Sequence, residues 1–260
     1  MRFPVLLYHR LFDKDVSREK YEISKSAFEE HLNYLSINGY QTLTFPDLYR
    51  KSREELTVGD KNVFITFDDG SYSDYDIAYP VLKKYGFRAT FFITVNWVAT
   101  KNFVNWTQLR EMTDGGMSIQ SHCMSHSFLS DLALEQLDYE LKESKETIEK
   151  NLDVPVDIVS IPGGFFSDKV LKAAKKVGYD GACTSVPGLN CLREKLSDFR
   201  IFNRFVITRA TSFNNFEATI KQDSIYIARS MAIYYFKHIM KKAFGSKVYY
   251  AVWSKFFRKI

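Results

Sequence analysis

Short runs of β-branched and aromatic residues alternate with stretches of helical periodicity along most of this chain. Strand-like runs fall at residues 3–8, 42–45, 62–66, 89–94, 117–120, 158–161, 181–184 and 200–207. Apolar positions at helical spacing occupy 26–38, 77–85, 106–114, 134–151 and 167–177 between them. Parallel strands need a crossover, and a helix is the crossover that also buries their faces, so this alternation predicts an α/β fold around a largely parallel sheet. The carboxyl ends of such strands form the edge on which sites are built. No internal repeat and no Gly/Ser linker breaks the alternation.

The pattern changes near residue 223. Residues 224–260 hold eight Lys/Arg and no Asp or Glu, whereas the first 223 residues carry 28 basic against 31 acidic side chains. The net charge of +5 is therefore a property of the tail. With 260 residues, 45% hydrophobic and 26% charged, the chain can bury a substantial core, which excludes disordered and collagen-like classes. No run of eighteen apolar residues offers a spanning helix. Cys123, Cys183 and Cys191 form an odd, sparse set that argues against a disulfide framework. The stretch from Met1 to His9 is too short in apolar residues for a signal peptide, so a cytoplasmic location is expected.

Chemistry concentrates at four places. The buried-strand pattern from Val63 to Phe67 runs directly into Asp68-Asp69-Gly70, so two carboxylates stand side by side at a strand end. Adjacent acids repel, and a cation or a proton separates their roles; alone, the triplet reads first as a capping Asp beside a solvated one. Ser121-His122-Cys123-Met124-Ser125-His126 follows the apolar run 117–120. Its two histidines, four apart, are expected on one side of a helical turn, where both imidazoles reach one ion. The alternative is a pair of surface or core histidines. His9 follows the strand Val5 to Tyr8 and is a suitable proton donor near neutral pH, or else a packing residue. Ser160-Ile161-Pro162-Gly163-Gly164 runs from a strand into a turn whose backbone N–H groups can face an oxyanion or simply make the turn.

In this order the segments resemble the polysaccharide deacetylases of carbohydrate esterase family 4. The likeness extends to the circularly permuted subgroup that acts on exopolysaccharides such as poly-N-acetylglucosamine. Thr66-Phe67-Asp68-Asp69-Gly70 matches the family's first motif and His122-x₃-His126 its second. Leu7-Tyr8-His9 is similar to the Leu-x-His motif that closes the domain in most members; here it opens the chain. The resemblance runs from about Phe3 to Phe216, including Trp106-Thr107-Gln108-Leu109 and Gly178-Tyr179.

The resemblance implies a distorted (β/α) barrel of about seven strands as the catalytic domain; the composition shift near residue 223 sets its bounds at 1–223 and makes 224–260 an appended basic, aromatic helical segment. The resemblance implies hydrolysis of N-acetyl groups on the amino sugars of a glycan; the basic tail and the absence of a signal peptide extend the expectation to a lipid-linked glycan precursor. Asp69, His122 and His126 would hold a divalent ion, with zinc first among zinc, cobalt, nickel and manganese. Asp68 would act as general base, His9 would protonate the departing amine, and the backbone near Gly163 would face the developing oxyanion. Phe165, Phe166 and Trp106 are candidate sugar-stacking surfaces.

Four positions depart from the family pattern. Cys123 and Ser127 replace the usual Ser/Thr and Pro, and Cys123 is either a small packing residue or a soft ligand favouring zinc. Ser160 stands in place of an arginine that pairs with the catalytic aspartate in most members; Arg204 is the candidate substitute. Gly163 replaces an aromatic. These losses motivate an alternative, a catalytically inactive carbohydrate-binding protein of the same fold. A non-haem iron oxygenase is disfavoured, because no acid stands two residues after His122.

In the tail, aromatic and basic residues without acids suit a helix lying in a lipid interface, and equally helices that cover the domain. No recognition motif accompanies the charge, so no nucleic-acid partner is expected.

Overall fold

The computed structural model describes residues 2–13, 19–50, 61–164, 166–191, 199–236 and 239. In chain order the elements are β1 (Arg2–Phe3), β2 (Val5–Tyr8), β3 (Arg10–Phe12), β4 (Glu22–Ser24), α1 (Lys25–Ile37), β5 (Gln41–Leu43) and α2 (Phe45–Arg50). They continue with β6 (Asn62–Phe67), α3 (Tyr79–Lys84), β7 (Thr90–Ile93), α4 (Trp106–Asp114), β8 (Ser118–Ser121), α5 (Leu134–Leu152) and β9 (Ile158–Ser160). The last are α6 (Asp168–Val177), β10 (Gly181–Cys183), β11 (Asn190–Cys191), β12 (Arg200–Phe202), β13 (Phe205–Val206) and α7 (Phe213–Ile220).

Nine strands form one parallel sheet in the order β12-β10-β9-β8-β7-β6-β2-β13, with β5 beside β6. β6 serves two neighbours on one side: its first half pairs with β5 through Asn62, Val63 and Phe64, and its end pairs with β7 through Thr66 and Phe67. The apolar stretch 200–207 is two strands rather than one, and they lie at opposite edges of the sheet. Phe202 and Phe205 are three residues apart, so their Cα atoms are within about 11 Å. The sheet must therefore curl until its edges nearly meet, leaving a seam at Asn203 and Arg204. This is a half-barrel of the distorted (β/α) kind, open between β12 and β13, with nine strands where the resemblance implies about seven.

The two-residue period of the strands sorts side chains between its inside and outside. Val63, Ile65 and Phe67 of β6 join the larger cluster with Leu32, Leu35, Leu137 and Leu141 of α1 and α5. Phe64 joins the smaller one, with Phe3, Val5, Phe45, Phe92, Ile158, Cys183 and Phe202. This second cluster packs one end of the interior with apolar volume. The inward positions that follow, at Thr66, Asp68, Ser160 and Arg204, are polar, and all four are buried.

Helix starts are set locally. Asn105 and Gln108 form a reciprocal capping box that begins α4 at Trp106, and Ser24 and Ser212 cap α1 and α7. Residues 224–236 form a further helix; Asp223 Oδ1 accepts the Tyr226 N–H at 2.7 Å at its start. The rest of the basic tail, apart from residue 239, lies outside the described residues. Among the described residues no helix is long and apolar enough to cross a membrane.

Candidate active site

Asp68 leaves β6 at the inner, polar end of the barrel because it continues the inward set of Phe64 and Thr66. Its N–H donates to Tyr8 O at 3.1 Å, which ties the end of β2, and with it His9, to the same edge. Asp69 then turns the chain with φ +83°, and Gly70 follows at φ +80°, where an added Cβ would stand 3.1 Å from Ile93 Cδ1. A non-glycine residue at positive φ stores strain, and such residues gather at functional sites. Cys123 and His126, at φ +66° and +62°, are two more.

His122 to His126 is a loop and not the expected helical turn. The two imidazoles converge because the loop is fastened at several points. The N–H of His122 donates to Ile93 O, while Val95 and Asn96 donate to Cys123 O and Met124 O. On the other side the buried Glu140 of α5 accepts the N–H groups of Met124 and Ser125, both at 2.9 Å, and the Ser125 hydroxyl. Glu140 interrupts the apolar stripe of Leu137, Leu141 and Ile148, and that interruption is the signal by which the sequence could have revealed it.

His122 Nδ1 donates to Ser160 O at 2.7 Å, which leaves Nε2 as the lone-pair nitrogen. That Nε2 lies 3.6 Å from Asp69 Oδ1, and His126 Nε2 lies 3.5 Å from the same oxygen. Asp69 Oδ1 is buried with no hydrogen-bond partner among the described residues. Ligands at 2.0–2.2 Å around a tetrahedral ion stand about 3.3–3.6 Å apart, so this trio fits a zinc-like ion better than it fits direct hydrogen bonds. Burial lowers the His122 pKa against the pull of Asp68 and Asp69, keeping the ring neutral as a metal ligand requires. Cys123 packs in the core with its thiol pushed well up by burial, and it is not one of the converging groups. It is a packing residue.

Asp68 stands beside this trio, its Oδ2 3.9 Å from His122 Nε2, and it is held by Arg204. The guanidinium donates to Asp68 Oδ1 and Oδ2 at 2.7 and 2.8 Å, to Ser160 Oγ at 2.8 Å and to Thr184 O at 2.8 Å. It also lies over the Phe92 ring. Ser160 Oγ donates to Asp68 Oδ2 at 2.9 Å. Burial alone would raise the Asp68 pKa; Arg204, with His122 adding to it, drives it far below the usual carboxylate range. Ser160 is thus part of the aspartate's support. Sequence reasoning treated it only as a loss.

His9 is half-buried, its ring 4.9 Å from that of Tyr21, and its Nδ1 has no hydrogen-bond partner among the described residues. Burial lowers its pKa, while Asp68 and Asp69 oppose that and Arg204 adds to it. Gly163 is exposed at φ +67° beyond Ser160. Trp106 is half-buried against the core cluster at the start of α4, and Phe165 lies outside the described residues. The aromatic ring at the loop of residues 122–126 is Trp97, stacked on His126 at 5.1 Å and against Phe103 at 4.9 Å; no sequence signal singled it out.

A sequence profile described as Polysaccharide deacetylase matches residues 55–182, which include Asp68, Asp69, His122 and His126 but leave His9 and Arg204 outside. A polysaccharide deacetylase of known structure from Bacillus cereus is 30% identical and superposes with a TM-score of 0.75, covering 85% of this chain and 69% of its own. The chain belongs to the polysaccharide deacetylase family. Bacillus subtilis YxkH is 36% identical over 187 residues, 72% of this chain and 66% of its own length. The poly-beta-1,6-N-acetyl-D-glucosamine N-deacetylase of Staphylococcus epidermidis is 29% identical over 199 residues, 66% of this chain and 68% of that one. This family member therefore spans about two thirds of the length of these curated relatives.

Proposed function

We propose that this chain is a metal-dependent hydrolase that removes N-acetyl groups from the amino sugars of a glycan, releasing acetate. The observation that carries this reading is the convergence of Asp69 Oδ1, His122 Nε2 and His126 Nε2 beside an ionised, doubly held Asp68. Asp69, His122 and His126 would hold a divalent ion, zinc first, which would supply Lewis-acid chemistry for polarising a carbonyl and acidifying a water. Asp68 stays off the trio because Arg204 and Ser160 occupy both of its oxygens, and it takes the proton of the attacking water. His9 gives its proton to the leaving nitrogen; burial disfavours its imidazolium, and the charges of Asp68 and Asp69 oppose that loss of the proton. The backbone beside Gly163 faces the developing oxyanion, and residues 1–223 form the catalytic unit.

The substrate reading of poly-β-1,6-linked N-acetylglucosamine is supported by the Staphylococcus epidermidis relative, and a lipid-linked precursor rests on the basic, aromatic composition of residues 224–260 alone. The inactive alternative rested on the loss at Ser160 and Gly163, and the contacts of Ser160 and Arg204 with Asp68 remove most of its motive. The test is acetate release from short β-1,6-linked N-acetylglucosamine oligomers, using protein stripped of metal and reloaded with zinc, cobalt, nickel or manganese. Metal-dependent release, abolished in Asp68→Asn and reduced in kcat by His9→Asn, is expected. No release with any of the four ions on any N-acetylated oligomer would overturn the reading.

A further inference from the structure

A surface helix ordinarily shows charged or polar residues to water on the face opposite its buried stripe. The helix at residues 224–236 does not. Its packed side is conventional: Ile227 is buried, and Tyr226 and Met231 pack against the main core cluster. Its other side exposes Ile225 at 80%, Phe236 at 55% and, in continuing register, Ile239 at 62%. At 100° per residue these three and the exposed Ala232 fall within an arc of roughly 60°. Ile233 and Tyr235, 42% and 50% exposed, flank it, and the one charge on that side is Arg229. A helix apolar all round is a helix covered on both sides.

Charge decides what covers it. Residues 224–260 carry Arg229, Lys237, Lys241, Lys242, Lys247, Lys255, Arg258 and Lys259 with no acid among them. A second copy of the chain meeting this face with the same face would set two acid-free basic segments against each other, an isologous contact that repels. A nucleic-acid phosphate backbone would satisfy the lysines but give exposed isoleucine and phenylalanine nothing to bury. An anionic bilayer offers negative headgroups and an apolar phase within one surface layer, and Tyr249, Tyr250 and Trp253 are the residue types that settle at that boundary. We infer that the outer face of the helix at residues 224–236 docks on an anionic lipid surface, with the basic residues of 224–260 drawn to its headgroups.

Gln222 Nε2 donates to Arg2 O at 3.2 Å, so this helix begins near β1, whereas Asp68 and His9 follow the carboxyl ends of β6 and β2. The inference does not depend on the deacetylase reading.

The experiment is co-sedimentation of the full chain with vesicles of phosphatidylcholine, with and without about one third phosphatidylglycerol. The variants are Ile225→Glu/Phe236→Glu and, separately, Arg229→Ser. Their folding is checked by thermal melting, and their acetate release from soluble oligomers is followed alongside. Binding to the anionic vesicles only, weakened by added salt, reduced at least about tenfold in the double Glu variant and less in Arg229→Ser, is expected, with melting unchanged. Failure to bind anionic vesicles would overturn the inference. So would binding that the double Glu variant leaves intact, a dimer that this variant dissociates, or a lowered melting temperature showing that the chain itself covers the face.

Discussion

Arg204 and Asp68, separated by 136 residues in sequence, meet in a bidentate ion pair of 2.7 and 2.8 Å inside the barrel. Asp68 ends the central strand β6, whereas Arg204 sits in the seam between the two edge strands, so the curl of the whole sheet is what brings them together. The pair is buried, and its value lies in aim: the fork of the guanidinium fixes the plane of the carboxylate and keeps it ionised. Asn190 holds the seam itself, its side-chain amide exchanging two hydrogen bonds of 2.8 Å with the Asn203 backbone.

Arg204→Lys keeps the charge and loses the fork, so Asp68 tilts and kcat on acetylated oligomers should fall about a hundredfold with KM little changed. Arg204→Met leaves a buried carboxylate unpaired and should cost about 3–5 kcal/mol in denaturant unfolding. The double variant Asp68→Asn/Arg204→Met should recover most of that stability without any activity. Wild-type activity in Arg204→Lys would show that the fork does not aim the base.

Glu140 is not one of the three converging groups, yet it fastens the loop that carries two of them. Glu140→Ala strands the N–H groups of Met124 and Ser125 and should weaken zinc binding, read by calorimetric titration, about 10–100-fold. Glu140→Gln retains one carbonyl acceptor and should lose distinctly less. Equal zinc affinity in Glu140→Ala and wild type would show that the loop holds its shape without this clamp.

His31 provides a pH test away from the loop of His122 and His126. Its Nδ1 pairs with the Tyr8 hydroxyl at 3.0 Å, its ring stacks on Phe216 at 3.9 Å, and burial lowers its pKa from 6.5 to about 4. The folded state thus resists a proton that the unfolded chain accepts. Stability from this site is complete above pH 6.5 and is lost as pH falls toward 4, by about 3 kcal/mol in all. Urea unfolding at a series of pH values should show this slope, and His31→Phe should flatten it. An unchanged slope in His31→Phe would place the acid sensitivity elsewhere.

The sequence by itself determined a good deal. Periodicity placed α4 at its observed bounds, and most strands and helices within a residue or two, because the 2.0 and 3.6 periods are local properties of buried elements. The order of Asp68-Asp69-Gly70, His122-x₃-His126 and His9 marked the strand ends where chemistry gathers, since a buried strand running into acids or histidines must expose them at its edge. Glu140 was legible only in hindsight, as an acid on an apolar stripe. What the tertiary structure alone decided are relations across the sheet. It split residues 200–207 between opposite edges, because only closure of the curl tells one strand from two. It made the histidine segment a strained loop, because its hydrogen bonds go to residues 93–96 and to α5. It turned Ser160 into a support for Asp68, because strand parity and register aim both side chains into one interior. Such contacts depend on which strands are neighbours, and neighbour order is not written in the local pattern.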